Sequence, residues 1–295
     1  MKVNLSKKNK VIAIVGPTAS GKTNYAVQLA KKLNGEIVSA DSRLVYKGFD
    51  IGTAKPTHDE MKGIKHHLID IIEPVEDYSA GLYVNDATTV IEDIISRGKI
   101  PIVTGGTGLY FRVLLEGFDL PKVEPDYNLR NELKLLSNED LHQMLFDLDS
   151  DAAKIIDKND KKKLIRALEI VKIMGKPLAQ SQGKKNSEYD VEWIGMNYPR
   201  EILYDRINKR VDLMVEKGLF KETENLIKKY GPINNIIDTI GYREIYSYFN
   251  NEIDVEEAVN LLKQNTRRYA KRQLTWFRKN LKIKWNYYPE KLNKN

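Results

Sequence analysis

Residues 16–23 read Gly16, Pro17, Thr18, Ala19, Ser20, Gly21, Lys22, Thr23, a full match to the phosphate-loop pattern G-x-x-x-x-G-K-[ST]. The octapeptide sits between a β-branched apolar run at 11–15 and the helical spacing of Ala26, Val27, Leu29, Ala30 and Leu33. That context dictates a backbone: a buried strand, a glycine-bearing turn whose amides point inward, and a helix whose N-terminus adds partial positive charge. Lys22 supplies a mobile cation, and the Thr23 hydroxyl is available to Mg2+. The pattern predicts binding of a diphosphate or a triphosphate, such as ATP, without choosing between them.

The remaining organisation follows from this start. Residues 36–40 read as a second strand ending at Asp41-Ser42, residues 66–72 as a third, and 100–104 as a fourth ending in Gly105-Gly106. Helical patterns at 83–96 and 107–115 flank the fourth strand. Alternating strands and helices predict α/β architecture with a doubly wound parallel sheet. The texture changes at Gly117, after which only helical patterns run to Gly175. Ser137 opens a capping-box variant, and Leu164, Leu168 and Val171 form an i, i+4, i+7 stripe. Residues 175–190 are polar and read as a loop, and 191–196 reads as a strand returning to the sheet. We therefore expect a core of residues 1–118 and 191–295 interrupted by a helical insertion at 119–190, the chain ending in basic helices.

Charge decides the class of partner. The chain carries +7, but residues 263–295 hold eleven Lys or Arg and one acid, Glu290, a balance of +10 that leaves the rest at −3. A basic terminus on a near-neutral body calls for a polyanion. No cysteine is present, which excludes disulfides, iron–sulfur clusters and thiolate zinc sites. His66 and His67 would point to opposite faces of a strand and cannot share a metal. No apolar run approaches the ~20 residues of a membrane span, so a cytoplasmic protein without a membrane partner is expected.

Asp41 falls on the carboxyl edge of the sheet, where ligands of open α/β folds collect, as a general base or a magnesium ligand. Thr107 could bond a ligand or cap the helix after it. Absence of an N-K-x-D motif disfavours a GTPase. Two readings of the loop remain beside any other: a small-molecule kinase with Arg206 and Arg210 over ATP, and a nucleic-acid-dependent ATPase.

Further segments accompany the loop in order: Ala40-Asp41-Ser42, the run from Val45 to Pro56, His66-His67-Leu68-Ile69-Asp70, Tyr78-Ser79-Ala80, the Gly-Gly-Thr-Gly-Leu-Tyr-Phe segment at 105–111, Ile-Gly-Tyr-Arg-Glu at 240–244, and the basic, aromatic run at 266–278. The ordered set, from about residue 11 to 280, resembles the bacterial tRNA dimethylallyltransferases, also called tRNA isopentenyltransferases. One departure is Lys65, where the family often has proline. The resemblance implies a P-loop-type parallel sheet with a helical insertion, and transfer of a dimethylallyl group from dimethylallyl diphosphate to the exocyclic N6 amine of the adenosine 3′ to the anticodon. Lys22, Thr23, Arg210 and Mg2+ would hold the departing diphosphate, and Asp41 would accept the proton. Expected tRNA contacts are Asp41, Ser42, Arg43, Leu44 and Thr107, with Arg130, Lys162, Lys163, Leu164, Ile165 and Arg166 from the insertion embracing the anticodon stem-loop. From the basic terminus, Arg267, Arg268, Lys271 and Arg272 suit phosphate contacts. A monomer is expected.

Overall fold

A computed structural model of the chain describes residues 9–181, 183–184 and 187–287. The first half of the larger unit runs β1 (Asn9–Val15), α1 (Lys22–Leu33), β2 (Gly35–Ser39), α2 (His58–Met61), β3 (His66–His67), α3 (Ala80–Ser96), β4 (Ile100–Thr104) and α4 (Gly108–Leu115). A second compact unit, Glu116–Ser187, holds β5 (Phe118–Asp119), α5 (Tyr127–Lys134), α6 (Asn138–Leu148), α7 (Ser150–Ile155), α8 (Lys161–Met174), α9 (Leu178–Ser181) and β6 (Gly183–Lys184). The chain then rejoins the larger unit with β7 (Tyr189–Asn197), α10 (Arg200–Glu216), α11 (Leu219–Tyr230), α12 (Asn234–Ile237), α13 (Tyr242–Phe249), α14 (Val255–Phe277) and β8 (Lys284–Tyr287).

Six strands form one sheet in the order β3-β2-β4-β1-β7-β8, every neighbouring pair parallel. Residues 11–15 of β1 are at most 2% exposed because helices cover both faces, as a continuous apolar run in a parallel sheet requires. Alternation along the strand divides the core. Ile12 and Ile14 join Ala26, Val27 and Ala30 of α1, with Ile37 and Ile102, on one side. Val11, Ala13 and Val15 join Val38, Val103 and the α3 residues Tyr83, Ala87, Ile91 and Ile94 on the other. Strand β7 begins at Tyr189, two residues before the expected 191, because its pairing with β1 starts at Asn9↔Tyr189.

Three expectations need correction, the first at the basic terminus, expected to be all helix: residues 284–287 form β8 and pair in parallel with β7. The strand expected at 66–72 lasts two residues, His66 and His67, opposite Ile37 and Val38. Leu68 and Asp70 take left-handed conformations, φ 62° and 55°, and Ile72 returns as an isolated bridge to Tyr46. The segment bonds instead to the 44–47 stretch, the Asp70 amide donating to the Leu44 carbonyl at 3.0 Å and the Ile71 amide to the Val45 carbonyl at 2.9 Å, and Lys55 pairs there with Asp50 and Asp70. The polar stretch at 175–190 is not all loop: α9 starts where the Leu178 amide donates to Asp149 at 2.7 Å, and β6 pairs with β5.

Within the smaller unit, Leu133, Leu141, Leu145, Leu164, Leu168 and Val171 form its own core. Asp126, Ser137, Asp149 and Asp160 each accept an amide from the first turn of α5, α6, α7 and α8, satisfying donors that have no intrahelical partner.

Candidate active site

The phosphate loop joins β1 to α1 at the carboxyl edge of the sheet. Gly16 lets it pass beneath β7, since a Cβ there would lie 2.2 Å from the Met196 carbonyl oxygen. Ala19 holds φ 61°, a conformation that costs a residue with a side chain and is kept where surrounding contacts enforce it. Those contacts come from two distant helices. From α10, Arg206 Nε donates to the Ala19 carbonyl at 2.9 Å and Arg210 Nη1 lies 3.5 Å from Thr18 Oγ1. From α14, Gln273 Oε1 accepts the Thr18 amide at 2.8 Å. Pro17 offers its carbonyl to the Lys22 ammonium at 2.6 Å. Ser20 is fully buried, so that position serves the loop through its backbone, while Thr23 is exposed at the first turn of α1.

Electrostatically the loop is a cluster of cations that attracts an anion. Burial first, and then repulsion from Arg210, pull the Lys22 ammonium down to about 7, with Asp41 opposing them. Burial likewise lowers Arg210, against the attraction of Asp41 and Glu60 and with the help of Arg206. Three basic side chains thus crowd one loop with Asp41 as the carboxylate that both Lys22 and Arg210 feel, so the arrangement is completed by an anion.

Asp41 follows β2 in a turn that is fastened from both sides. Its Oδ1 accepts the Arg43 amide at 2.9 Å. The Ser42 amide donates to Thr107 Oγ1 at 3.0 Å, and that hydroxyl donates to Ser42 Oγ at 3.2 Å. Within the protein the Thr107 hydroxyl bonds Ser42 rather than the helix after it, and so pins the Asp41 turn. Tyr110 and Tyr269 also sense Asp41. Burial chiefly, and then neighbouring negative charge, hold both phenols well above their usual range, so they remain proton donors at neutral pH.

The loop, Asp41 and Arg210 are therefore brought together, with Ser42, Arg43 and Leu44 half-buried beside them. On α14, Arg268, Lys271 and Arg272 are exposed at i, i+3 and i+4, one face of the helix, whereas Arg267 donates to Asn208 at 2.6 Å and lies over the Tyr204 ring. In the insertion the expected contact residues divide by burial. Leu164 is fully buried and Ile165 is 8% exposed, so these two build its core. Arg130 and Arg166 both pair with the buried carboxylate of Glu169, and Lys163 pairs with Asp160 at 2.5 Å; Lys162 lies one position earlier on the same first turn of α8. Among the described residues no group of three or more His, Cys, Asp or Glu could hold a metal by itself.

Gln273 carries a part of the site that sequence reading did not assign. Gln273 occupies an inward stripe with Ala270 and Phe277, where a polar residue among apolar ones is the available signal.

Residues 44–280 match the IPP transferase family model, and residues 9–77 the isopentenyl transferase model. A tRNA dimethylallyltransferase of Caldanaerobacter subterraneus is 46% identical over 291 residues, covering 95% of this chain and 92% of that protein. The crystal structure of a tRNA isopentenylpyrophosphate transferase from Bacillus halodurans has a TM-score of 0.72 at 44% identity, covering 95% of this chain and 90% of the other. A eukaryotic dimethylallyltransferase acting on tRNA has a TM-score of 0.79 at 31% identity, over 91% of this chain and 70% of the other. A shared fold, a near full-length match and a family model spanning residues 44–280 lead to one conclusion: the chain belongs to the IPP transferase family.

Proposed function

We propose that this protein transfers a dimethylallyl group from dimethylallyl diphosphate to the N6 amine of the adenosine 3′ to the anticodon of tRNA, releasing diphosphate. The observation that carries the reading is the excess of cations, Lys22, Arg206 and Arg210, on a loop at the sheet edge where Asp41 follows β2. As the allylic C–O bond breaks, its electron pair leaves with the diphosphate. Preorganised donors stabilise charge where it develops, and here they are loop amides, Lys22 and Arg210. The carbon forms its new bond to N6, and the proton that nitrogen loses passes to Asp41. Adenine's exocyclic amine is a weak nucleophile that becomes acidic only as it alkylates, so a carboxylate within reach can take the proton. The bond to the Arg43 amide fixes one Asp41 oxygen and so orients the other.

The donors present suit Mg2+: an exposed Thr23 hydroxyl beside a phosphate loop offers a hard oxygen ligand, with the substrate's own oxygens and water to complete the shell. When bound, magnesium would neutralise charge on the diphosphate. Exposed Arg268, Lys271 and Arg272 supply phosphate contacts to tRNA, joined from the insertion by Lys162, Lys163, Arg130 and Arg166. Extruding a loop adenosine costs a few kcal/mol, least in single-stranded RNA, and an aromatic side chain such as Tyr269 can hold such a base. Among the described residues no helix is long and apolar enough to cross a membrane, and the reading extends to a cytoplasmic monomer.

The test supplies purified protein, unmodified tRNA and magnesium with labelled dimethylallyl diphosphate or labelled ATP. Label should enter tRNA from the prenyl donor alone; ATP consumption without prenylation would return the kinase and ATPase readings. Asp41→Ala should slow transfer by about 10²–10⁴-fold, the usual contribution of a general base, with tRNA affinity nearly unchanged.

A further inference from the structure

The Gln273 carboxamide is 5% exposed and makes two bonds to segments remote in sequence. Its oxygen accepts the Thr18 amide in the phosphate loop at 2.8 Å, and its nitrogen donates to the Gly106 carbonyl, in the turn after β4, at 3.0 Å. That turn is built around it: a Cβ on Gly106 would lie 2.1 Å from the Gln273 nitrogen. The next residue, Thr107, pins the Asp41 turn through Ser42. One side chain of α14 therefore touches the loop that holds a diphosphate and, through one turn, the segment that carries Asp41. The same helix exposes Arg268, Lys271 and Arg272, three basic side chains placed within five residues of that amide.

We infer that Gln273 is a positioning residue that couples tRNA engagement on α14 to the geometry of the phosphate loop. The inference rests on the proposed tRNA prenylation and adds to it the physical link between its two substrates. A polyanion bound along the exposed face of α14 restrains the helix; the amide passes that restraint to Thr18 and Gly106. A loop already ordered when diphosphate arrives pays less conformational entropy, so the first ligand strengthens binding of the second. Because coupling is reciprocal, diphosphate must strengthen tRNA binding by the same factor. Without the amide, only repulsion between the two anions remains. The bonds are directional, so an isosteric apolar side chain fills the space and cannot carry the coupling.

The experiment measures binding of inorganic pyrophosphate with magnesium to the full chain, alone and with saturating unmodified tRNA. In the wild type, tRNA should tighten pyrophosphate binding about 5-fold or more, within the usual range of such couplings. In Gln273→Met the factor should fall to one or below while tRNA affinity alone stays within about 3-fold, since the phosphate contacts are intact. Gln273→Glu should lose the coupling too, because a carboxylate accepts from Thr18 but cannot donate to Gly106. Hydrogen exchange on the wild type gives a test independent of any variant: tRNA without diphosphate should protect residues 16–23. Retention of the full factor in the folded Met variant overturns the inference, as does a wild type that prenylates tRNA yet shows neither coupling nor protection. A wild type that transfers no prenyl group to tRNA refutes the functional reading, and the inference falls with it.

Discussion

Lys22 is the residue at which function and stability pull apart. Held down to about 7 by burial and by Arg210, it is half neutral near physiological pH and folded back on the Pro17 carbonyl. An arriving diphosphate restores its charge, so binding above pH 7 must take up a proton. Affinity for pyrophosphate should therefore fall as pH rises from 7 towards 9, with little contribution from Lys22 below 7. Calorimetric titration at pH 8 in buffers of different ionisation enthalpy should show this uptake, and Lys22→Met should remove it. Stability runs the other way. The unfolded chain protonates Lys22 up to its ordinary value of 10.5, while the folded chain resists protonation down to about 7, so this group costs stability below 10.5 and costs most below 7. Lys22→Met should raise the melting temperature at pH 6.5, the gain fading towards pH 10, while abolishing turnover. Lys22, Thr23 and Asp41 were legible as candidates because loop spacing and strand-end position are local signals. Gln273 was not: its partner Thr18 lies 255 residues away, and a single polar side chain in an inward stripe names no partner.

Elements were legible wherever a single period governed them. The run at 11–15 and the spacing of α1 led directly to their structures because both faces of β1 are covered and one face of α1 is buried. The run at 66–72 misled because its β-like composition names no partner: after His67 its backbone bonds to residues 44–47 instead of β2. Helix α8 shows the same mixture within the five consecutive positions 162–166, where core and surface residues interleave. Leu164→Ala should destabilise the insertion by about 2–5 kcal/mol, the usual cost of a cavity at a fully buried leucine, measured by denaturant unfolding. Lys163→Ala, which removes one half-exposed ion pair with Asp160, should cost no more than about 1 kcal/mol. Its consequence should appear instead as weaker tRNA binding with a shallower salt dependence, by about one phosphate contact. If Leu164→Ala lowers affinity in proportion to unfolded insertion while Lys163→Ala does so in the folded protein, structural and contact roles on this helix are separated.

At the scale of the molecule, charge is sorted by position: +10 over residues 263–295 against −3 elsewhere. Such a distribution serves a long polyanion, whereas a small phosphorylated substrate needs only the cations already at Lys22, Arg206 and Arg210. The sequence located this excess but not its geometry. Helix periodicity turns Ala270, Gln273 and Phe277 inward and leaves Arg268, Lys271 and Arg272 outside, while Arg267 is drawn to Asn208 and Tyr204. Replacing the three exposed residues by alanine should therefore reduce the slope of log affinity for tRNA against log salt by about 2–3, at roughly 0.7–0.9 per phosphate contact. The transfer rate at saturating tRNA should be far less affected, because neither the loop nor Asp41 is touched. Arg267→Ala should behave differently, loosening the packing of α14 on α10 with a smaller change in salt slope. An unaltered slope in the triple variant would remove α14 from the RNA interface and leave the basic excess without its partner. A reduced slope with transfer intact at saturation would assign this face to RNA capture and the phosphate loop to chemistry.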